Sequence, residues 1–563
     1  MRRMLRTIFR PASLDVFKRY SAADLLHDAT AGLVVGVLSI SLAIAFGIAS
    51  GVSPAQGLMT AVVAGFLISA LGGSSVQIGG PTGAFIVIVY GIVAKHGYNG
   101  LAIATLMAGV ILVLMGVFRL GVVVKYIPFP VIIGFTTGIA IVILAGQFRD
   151  MLGLRMESVP ADFADKFVAY AKAIHTVNPV AVVVCACTIG IILACKRRYP
   201  KVPGTLVAIL AVTGVVTLLR AFGVAFELET IGSRFPSLSE GMTFPAPTLP
   251  TLEWTTLQEL FAPAISIALL AAIESLLSAV IADGMTGKQH HANTELIAQG
   301  VANIASPIFG GIPATGAIVR TATNIKTGGR TPVAGMIHAV VVLLVMLFFG
   351  KYAALIPMAV LGGIVAVVAW NMAEFHVFRG LFRSTKSDAA TLVTTFLLTV
   401  FVDLTVAIQL GVTLAVVLFV KRTAETGRAE YVTAEGDEDD PDATSRYAIP
   451  AGCEVFEISG PLFFGAVDKF RAALNLAEVK SRVLVVRMRH VHSLDATALR
   501  ALDEVLWHCR KHNMRLILSG VQTQPRAVMA TSGFMERIGL DNVCVSFKYA
   551  LAEARAFSYG DQC

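Results

Sequence analysis

Apolar residues dominate positions 30–421, broken into about fourteen runs by short polar or glycine- and proline-bearing interruptions. Most runs approach the roughly 20 residues that a helix needs to cross hydrocarbon. They predict helices near 30–50, 55–72, 82–95, 101–121, 127–147, 178–195, 203–222, 260–283, 294–309, 315–326, 332–351, 355–371, 388–402 and 404–421. The third and tenth are too short to span, and nearly the same motif opens both. One copy reads Gly79-Gly80-Pro81-Thr82-Gly83-Ala84; the other reads Gly310-Gly311-Ile312-Pro313-Ala314-Thr315-Gly316-Ala317. Each interrupted segment is third in a set of seven. An internal repeat with an odd number of segments is inverted across the membrane, and paired broken helices mark a transporter's binding site. Helix N-termini exposed there favour an anion.

After residue 422 the pattern changes. Residues 423–446 include Glu435-Gly436-Asp437-Glu438-Asp439-Asp440-Pro441, an acidic stretch without apolar period, and read as a linker. From 447 to 556 the chain alternates strand and helix. Val455–Ile458, Val483–Val486 and Leu516–Leu518 read as strands, and Leu499–Leu506 as a helix, giving one small α/β domain. Residues 557–563 are left as a tail.

Composition agrees with a polytopic membrane protein. The 563 residues are 56% hydrophobic and 15% charged, with mean hydropathy +0.74. Soluble domains carry about 25% charged residues, which excludes a soluble enzyme with one anchor. The formal charge of +8 is unevenly placed. Arg2, Arg3, Arg6, Arg10, Lys18 and Arg19 crowd the first twenty residues against Asp15, without a signal-peptide cleavage site. Residues 1–29 therefore read as a basic cytoplasmic N-terminus, and residues 30–422 as the transmembrane domain. With an even number of crossings, Lys196, Arg197, Arg198 and Lys201 face the cytoplasm, as do Arg379, Arg383 and Lys386. The C-terminal domain is cytoplasmic too, and the cell (inner) membrane is the expected location. Membrane lipid, not nucleic acid, is the partner this charge pattern expects. The seven cysteines form no C-x-x-C pair and read as reduced thiols.

Chemistry-bearing residues are few. Glu274 is the sole ionisable residue between Ala262 and Ala282. An acid at a helix centre costs about 2.5–3.5 kcal/mol on insertion scales, so it implies a cavity, a partner or a proton. Ser278 lies four residues on, on the same face. Arg320 sits four residues beyond Gly316, where it either meets a bound anion or snorkels toward Lys326 and Arg330. Thr82 and Thr315 head the half-helices and either cap them or touch substrate. Phe46 is a packing residue or gate in the first segment, and Asp403 a cap for the last. His290-His291 lacks the H-E-x-x-H spacing of a metal site, and Gly287-Lys288 lacks the rest of a phosphate loop. No nucleophile–base arrangement is present, so an enzyme is not expected, nor a metal or organic cofactor.

These residues resemble the SulP family of anion transporters. The most specific stretch is Ala272-Ile273-Glu274-Ser275-Leu276-Leu277-Ser278-Ala279, with Asp283-Gly284-Met285-Thr286-Gly287 after it. It continues through Gln299-Gly300-Val301-Ala302-Asn303 and the second broken motif to Arg320-Thr321-Ala322-Thr323-Asn324. Tyr126-Ile127-Pro128 and Gly134-Phe135 are similar to the family's fifth helix. The C-terminal domain resembles a STAS domain. The resemblance implies fourteen helices in two inverted repeats, a core moving against a gate, and a homodimer. It implies substrate held at Thr82, Gly83 and Ala84 and at Thr315, Gly316 and Ala317, with Arg320 associated with substrate. Glu274 matches the family's acid for proton or cation coupling, and Ser278 is a further ligand if that cation is Na+ rather than H+. Thr497, in Leu494-Asp495-Ala496-Thr497-Ala498-Leu499, aligns with a hydroxyl phosphorylated in related STAS proteins, although Ala496 replaces a common serine.

The apolar stretch Ser41-Leu42-Ala43-Ile44-Ala45-Phe46 is similar to the dicarboxylate-transporting branch. The expectation is proton-coupled uptake of a four-carbon dicarboxylate such as fumarate or succinate by alternating access. Sulfate transport and sodium-coupled bicarbonate transport are the alternatives within the family. A nucleobase permease of similar fold, a passive anion channel, and a membrane sensor acting through a protein partner of the STAS domain are the other readings.

Overall fold

The structure is a computed structural model. It describes residues 9–16, 20–121, 128–156, 159–160, 162–199, 203–224, 226–236, 244–251, 253–402, 404–426, 428–431, 446–475 and 481–560. Asp403, Tyr126, Ile127 and the acidic stretch 435–441 lie outside these. The described chain divides into two units, Met1–Thr413 and Leu414–Cys563.

In the first unit the apolar runs fold into helices: α1 Ala22–Ala49, α2 Pro54–Leu71, α3 Ile86–Val117, α4 Phe129–Gly146, α5 Pro179–Arg198, α6 Gly204–Ala221, α7 Trp254–Thr286, α8 Ala292–Ile308, α9 Ile318–Lys326, α10 Pro332–Phe349, α11 Met358–Met372, α12 Lys386–Phe401 and α13 Leu404–Thr426, the last running into the second unit. Among the described residues, ten helices are long and apolar enough to cross a membrane. Local chemistry sets the starts. Ser21 with Asp24, and Ser53 with Gln56, form capping boxes for α1 and α2. Asn178 and Thr331 cap α5 and α10, and proline follows at the first helical position of each.

Within α3, Gly97 has non-helical backbone, φ 63° and ψ −169°, so the expected segments 82–95 and 101–121 are two helical stretches on either side of a break. One sequence expectation is corrected here: the transmembrane region starts before residue 30. Residues 22–29 belong to α1, whose buried Asp28 carboxylate accepts hydrogen bonds from the Arg330 and Thr331 amides at 2.8 and 3.2 Å. A carboxylate paired with otherwise unbonded helix-start amides fastens α1 to α10.

The helices sort into two packed groups. One contains α1, α2, α3, α7, α8, α9 and α10; the other contains α4, α5, α6, α11 and α12. Inside the first group, Gly79–Gly80 (β1) pairs antiparallel with Thr315–Gly316 (β2), Gly79 opposite Gly316 and Gly80 opposite Thr315. The two copies of the motif therefore meet head to head, as an inverted pair does.

The second unit carries a five-stranded sheet in the order β3 Arg428–Tyr431, β4 Cys453–Ser459, β5 Val483–His490, β6 Arg515–Ser519, β7 Val543–Cys544. The β3–β4 pair is antiparallel and the rest are parallel. Alternate residues of β5 face opposite sides. Leu484, Val486 and Met488 pack with Leu502 and Phe470, whereas Val483 and Val485 pack with Phe547 and Leu551. The described start of the expected linker, 423–431, is helix and strand, because Arg428–Tyr431 has the open edge of β4 to pair with. The final helix, Phe547–Gly560, runs through the start of the expected tail.

Candidate functional site

The crossing of the two motifs is built on backbone groups that side chains of neighbouring helices satisfy. Ser275 of α7 accepts the Gly316 amide at 3.0 Å and shares a 2.7 Å bond with the Thr315 hydroxyl. Thr315 also donates to the Ala271 carbonyl at 3.1 Å. The Ala317 amide donates to the Ile78 carbonyl, and Thr321 of α9 accepts the Ile78 amide at 3.1 Å. Asn303 of α8 takes the Ala314 amide and returns a donor to the Ala314 carbonyl. Irregular backbone at this depth survives because such partners replace water.

Around this frame sit the ionisable groups. The Thr82 hydroxyl donates to Glu274 Oε2 at 3.0 Å. Thr82 directly precedes the short 3-10 turn Gly83–Phe85 that leads into α3, and its side chain makes no capping bond. Arg320, 1% exposed, points back from the first turn of α9 and donates through Nη2 to the Pro81 carbonyl. Its Nη1 has no hydrogen-bond partner among the described residues. A Cβ at Gly80 would stand 2.4 Å from that nitrogen, so a side chain there would displace the guanidinium. Phe46 of α1 is buried, and its ring lies beside Gly83 together with Val368 and Met372 of α11. The head of α3 is therefore flanked by both helical groups. Val319, in the first turn of α9, is 66% exposed, so that head is open. The first-turn amides of α9 have no carbonyl of their own helix to bond, and carry the positive end of its dipole.

Glu274, Thr82, Gly83, Ala84, Arg320 and Phe46 thus gather at one place. Arg320 does not snorkel, and neither threonine caps a helix. Thr315, Gly316 and Ala317 stand three residues and fewer before α9, and their polar groups are engaged within the protein. Ser278 is fully buried and donates to Thr321 at 3.1 Å, which fixes α9 against α7. Thr497 lies elsewhere, exposed in the first turn of Ala496–Lys511, a helix capped by Asp495. His290 bonds Asp283 at 2.7 Å in the loop after α7. Sequence reasoning assigned no role to Ser275, Thr321, Gln77 or Asn303. The available signal was their polarity inside otherwise apolar segments.

An apolar helical bundle in which two broken helices meet around a carboxylate and a guanidinium defines a multi-pass membrane transporter, here with an α/β domain attached. Residues 25–395 match the sulfate permease family and residues 446–553 match the STAS domain. The chain belongs to the sulfate permease family of anion transporters. It is 41% identical to the "Putative sulfate transporter YvdB" of Bacillus subtilis over 93% of this chain and 96% of that one. It is 30% identical to the bicarbonate transporter BicA of Picosynechococcus over 96% of each chain. The transmembrane domain of a cyanobacterial BicA superposes with a TM-score of 0.61 at 30% identity, covering 70% of this chain and 98% of that one. The murine solute carrier 26 family member A9 anion transporter, in its inward-facing state, shares the fold with a TM-score of 0.85 at 19% identity, covering 99% and 95%.

Proposed function

We propose that this protein is a secondary active transporter that carries a small oxyanion together with a proton across the cell membrane, both termini in the cytoplasm, by alternating access. One observation carries the reading: the two ionisable groups of the crossing converge on adjacent residues, Arg320 on Pro81 and Glu274 on Thr82. A buried guanidinium without a carboxylate partner is costly, and an arriving anion offsets that cost. The same anion repels the Glu274 carboxylate, so substrate binding and protonation favour each other. Thr82 lies between the two groups and reports the state of Glu274 to the head of α3. Phe46, Val368 and Met372 contribute apolar surface beside that head, which excludes water when the two helical groups close.

Sulfate is the first substrate to test, since the 41% identical relative is named for it, and bicarbonate the second. The four-carbon dicarboxylate draws no support from these relatives and keeps third place on the apolar Ser41–Phe46 stretch alone. Proton coupling is preferred over sodium because Ser278, the expected second ligand of a cation, is fully buried against Thr321 of α9, whereas the Glu274 carboxylate is bonded to Thr82. The test is uptake of labelled sulfate, bicarbonate and fumarate into proteoliposomes holding the full chain, with and without an inward proton gradient. Accumulation of sulfate that collapses with the gradient is the expected result. Accumulation that follows a sodium gradient and ignores protons would overturn the coupling, and no accumulation of any of the three would overturn the transport reading.

A further inference from the structure

Between the spans Phe129–Leu152 and Pro179–Arg198 the chain forms a short helix, Phe163–Ala173, with three distinct faces. Lys166, Tyr170 and Ala173 are its buried positions, one stripe at helical spacing. Tyr170 docks that stripe by donating to the Ala145 carbonyl of α4 at 2.9 Å, and Asp162 is the charge partner of Lys166. Asp165 and Lys172, two turns apart, hold a second stripe, charged and exposed. The third stripe is apolar and open. Phe163, Phe167, Ala171 and Ile174 recur at steps of four, four and three, with Val168 beside them. Phe167 is 44% exposed, Val168 55% and Ile174 56%.

The neighbours of this helix set its depth. The Phe163 ring packs edge-on against Phe167 at 5.1 Å and against Phe401, the last residue of α12, at 5.5 Å. Phe148, just past the end of α4, packs against Phe167 at 6.3 Å and Tyr170 at 5.9 Å. The helix therefore rests on the ends of two helices of the bundle. Leu397, Phe401 and Val402 at the end of α12 are exposed as well. Through the Phe163–Phe401 contact, the open stripe is continuous with that flank of α12, which in a membrane transporter faces lipid. A helix with an apolar face beside hydrocarbon and a charged face turned away has the make-up of an interfacial helix. A second copy of the chain fits the stripe poorly. One face of an eleven-residue helix measures about 16 Å by 10 Å, whereas a stable pair of copies needs about 800 Å² from each partner.

We propose that Phe163–Ala173 is a membrane-interface anchor, whose open face of Phe163, Phe167, Val168, Ala171 and Ile174 lies among the acyl chains of the leaflet opposite the chain's termini. Asp165 and Lys172 then stand toward the headgroups and water. Because Tyr170 and Phe148 tie the helix to the end of α4, the anchor holds that end of α4 at a fixed depth in the bilayer. The partner is a phospholipid surface, and the anchor does not depend on which ion is carried.

The test uses the full chain in phosphatidylcholine vesicles, its three tryptophans replaced by phenylalanine and one reporter added, Val168→Trp or Lys172→Trp. Phosphatidylcholine brominated along its acyl chains quenches most of the Val168→Trp emission and little of the Lys172→Trp emission. Iodide in the water does the reverse. Bromines at several chain positions place the Val168→Trp reporter about 5–10 Å into the headgroup and acyl boundary. Equal quenching of the two reporters by iodide would overturn the anchor, because the helix then stands in water. Protection of Val168→Trp from both quenchers would overturn it too, because protein then covers the face. The unsubstituted chain gives a second readout. A diazirine dissolved in the bilayer and photolysed labels the peptide that carries Phe167 and Val168, located by mass. Label on α12 with none on that peptide would overturn the proposal. Neither readout involves transport, so failure of the anchor and failure of the anion reading are told apart.

Discussion

At the scale of single residues, the site depends on one hydrogen bond and one uncompensated cation. Thr82 gives its hydroxyl to Glu274, and hydrogen bonds to charged groups are worth about 1.5–3 kcal/mol. Thr82→Val should therefore slow proton-driven uptake about tenfold or more, and Thr82→Ser should restore it. Equal rates for the valine and serine variants would remove Thr82 from the mechanism. Arg320→Ala should abolish saturable uptake while the protein remains monodisperse in detergent. Arg320→Lys should recover part of it, because an ammonium keeps the charge but loses the planar fork. Glu274 and Arg320 were legible in the sequence because a charge in an apolar run is conspicuous. The residues that hold the crossing together were not. Ser275 and Thr321 are small polar residues common in membrane helices, and nothing in their spacing says that one bonds the amide of Gly316 and the other that of Ile78.

At the scale of elements, the crossing of β1 and β2 decides whether there is a site at all. A Cβ at Gly316 would fall 1.6 Å from Gln77 Nε2, whose amide group donates to the Ser275 carbonyl. Overpacking of this kind costs about 1–3 kcal/mol, so Gly316→Ala should lower the unfolding temperature of the solubilised protein and abolish uptake together. An unaltered melting curve would show that the crossing is loose. The two short segments were visible in the sequence as repeated Gly-Gly and Thr-Gly-Ala steps. The strand pairing between them was not, since two-residue strands carry no alternation to read. The break between the third and fourth runs was legible, because Gly97, which takes up non-helical backbone, and its polar neighbours interrupt the apolar pattern. At the other end, the edge strand Arg428–Tyr431 was mistaken for linker because its four residues, RAEY, include two charged ones.

At the scale of the whole chain, two units with separate cores follow from the break in texture after residue 422. The sheet of the second unit has apolar packing on both faces, so residues 428–560 expressed alone should unfold in one cooperative transition. Residues 446–560, lacking β3, should unfold at lower denaturant concentration because the edge of β4 is then bare. In the first unit, the proposed coupling makes Glu274 the carrier of the proton that drives the anion. The most direct measurement compares wild type and Glu274→Gln in proteoliposomes, for uptake driven by a pH gradient and for exchange of labelled against unlabelled anion at equal pH. Loss of gradient-driven accumulation with exchange retained is the predicted result. Accumulation by Glu274→Gln that still follows the pH gradient would contradict it.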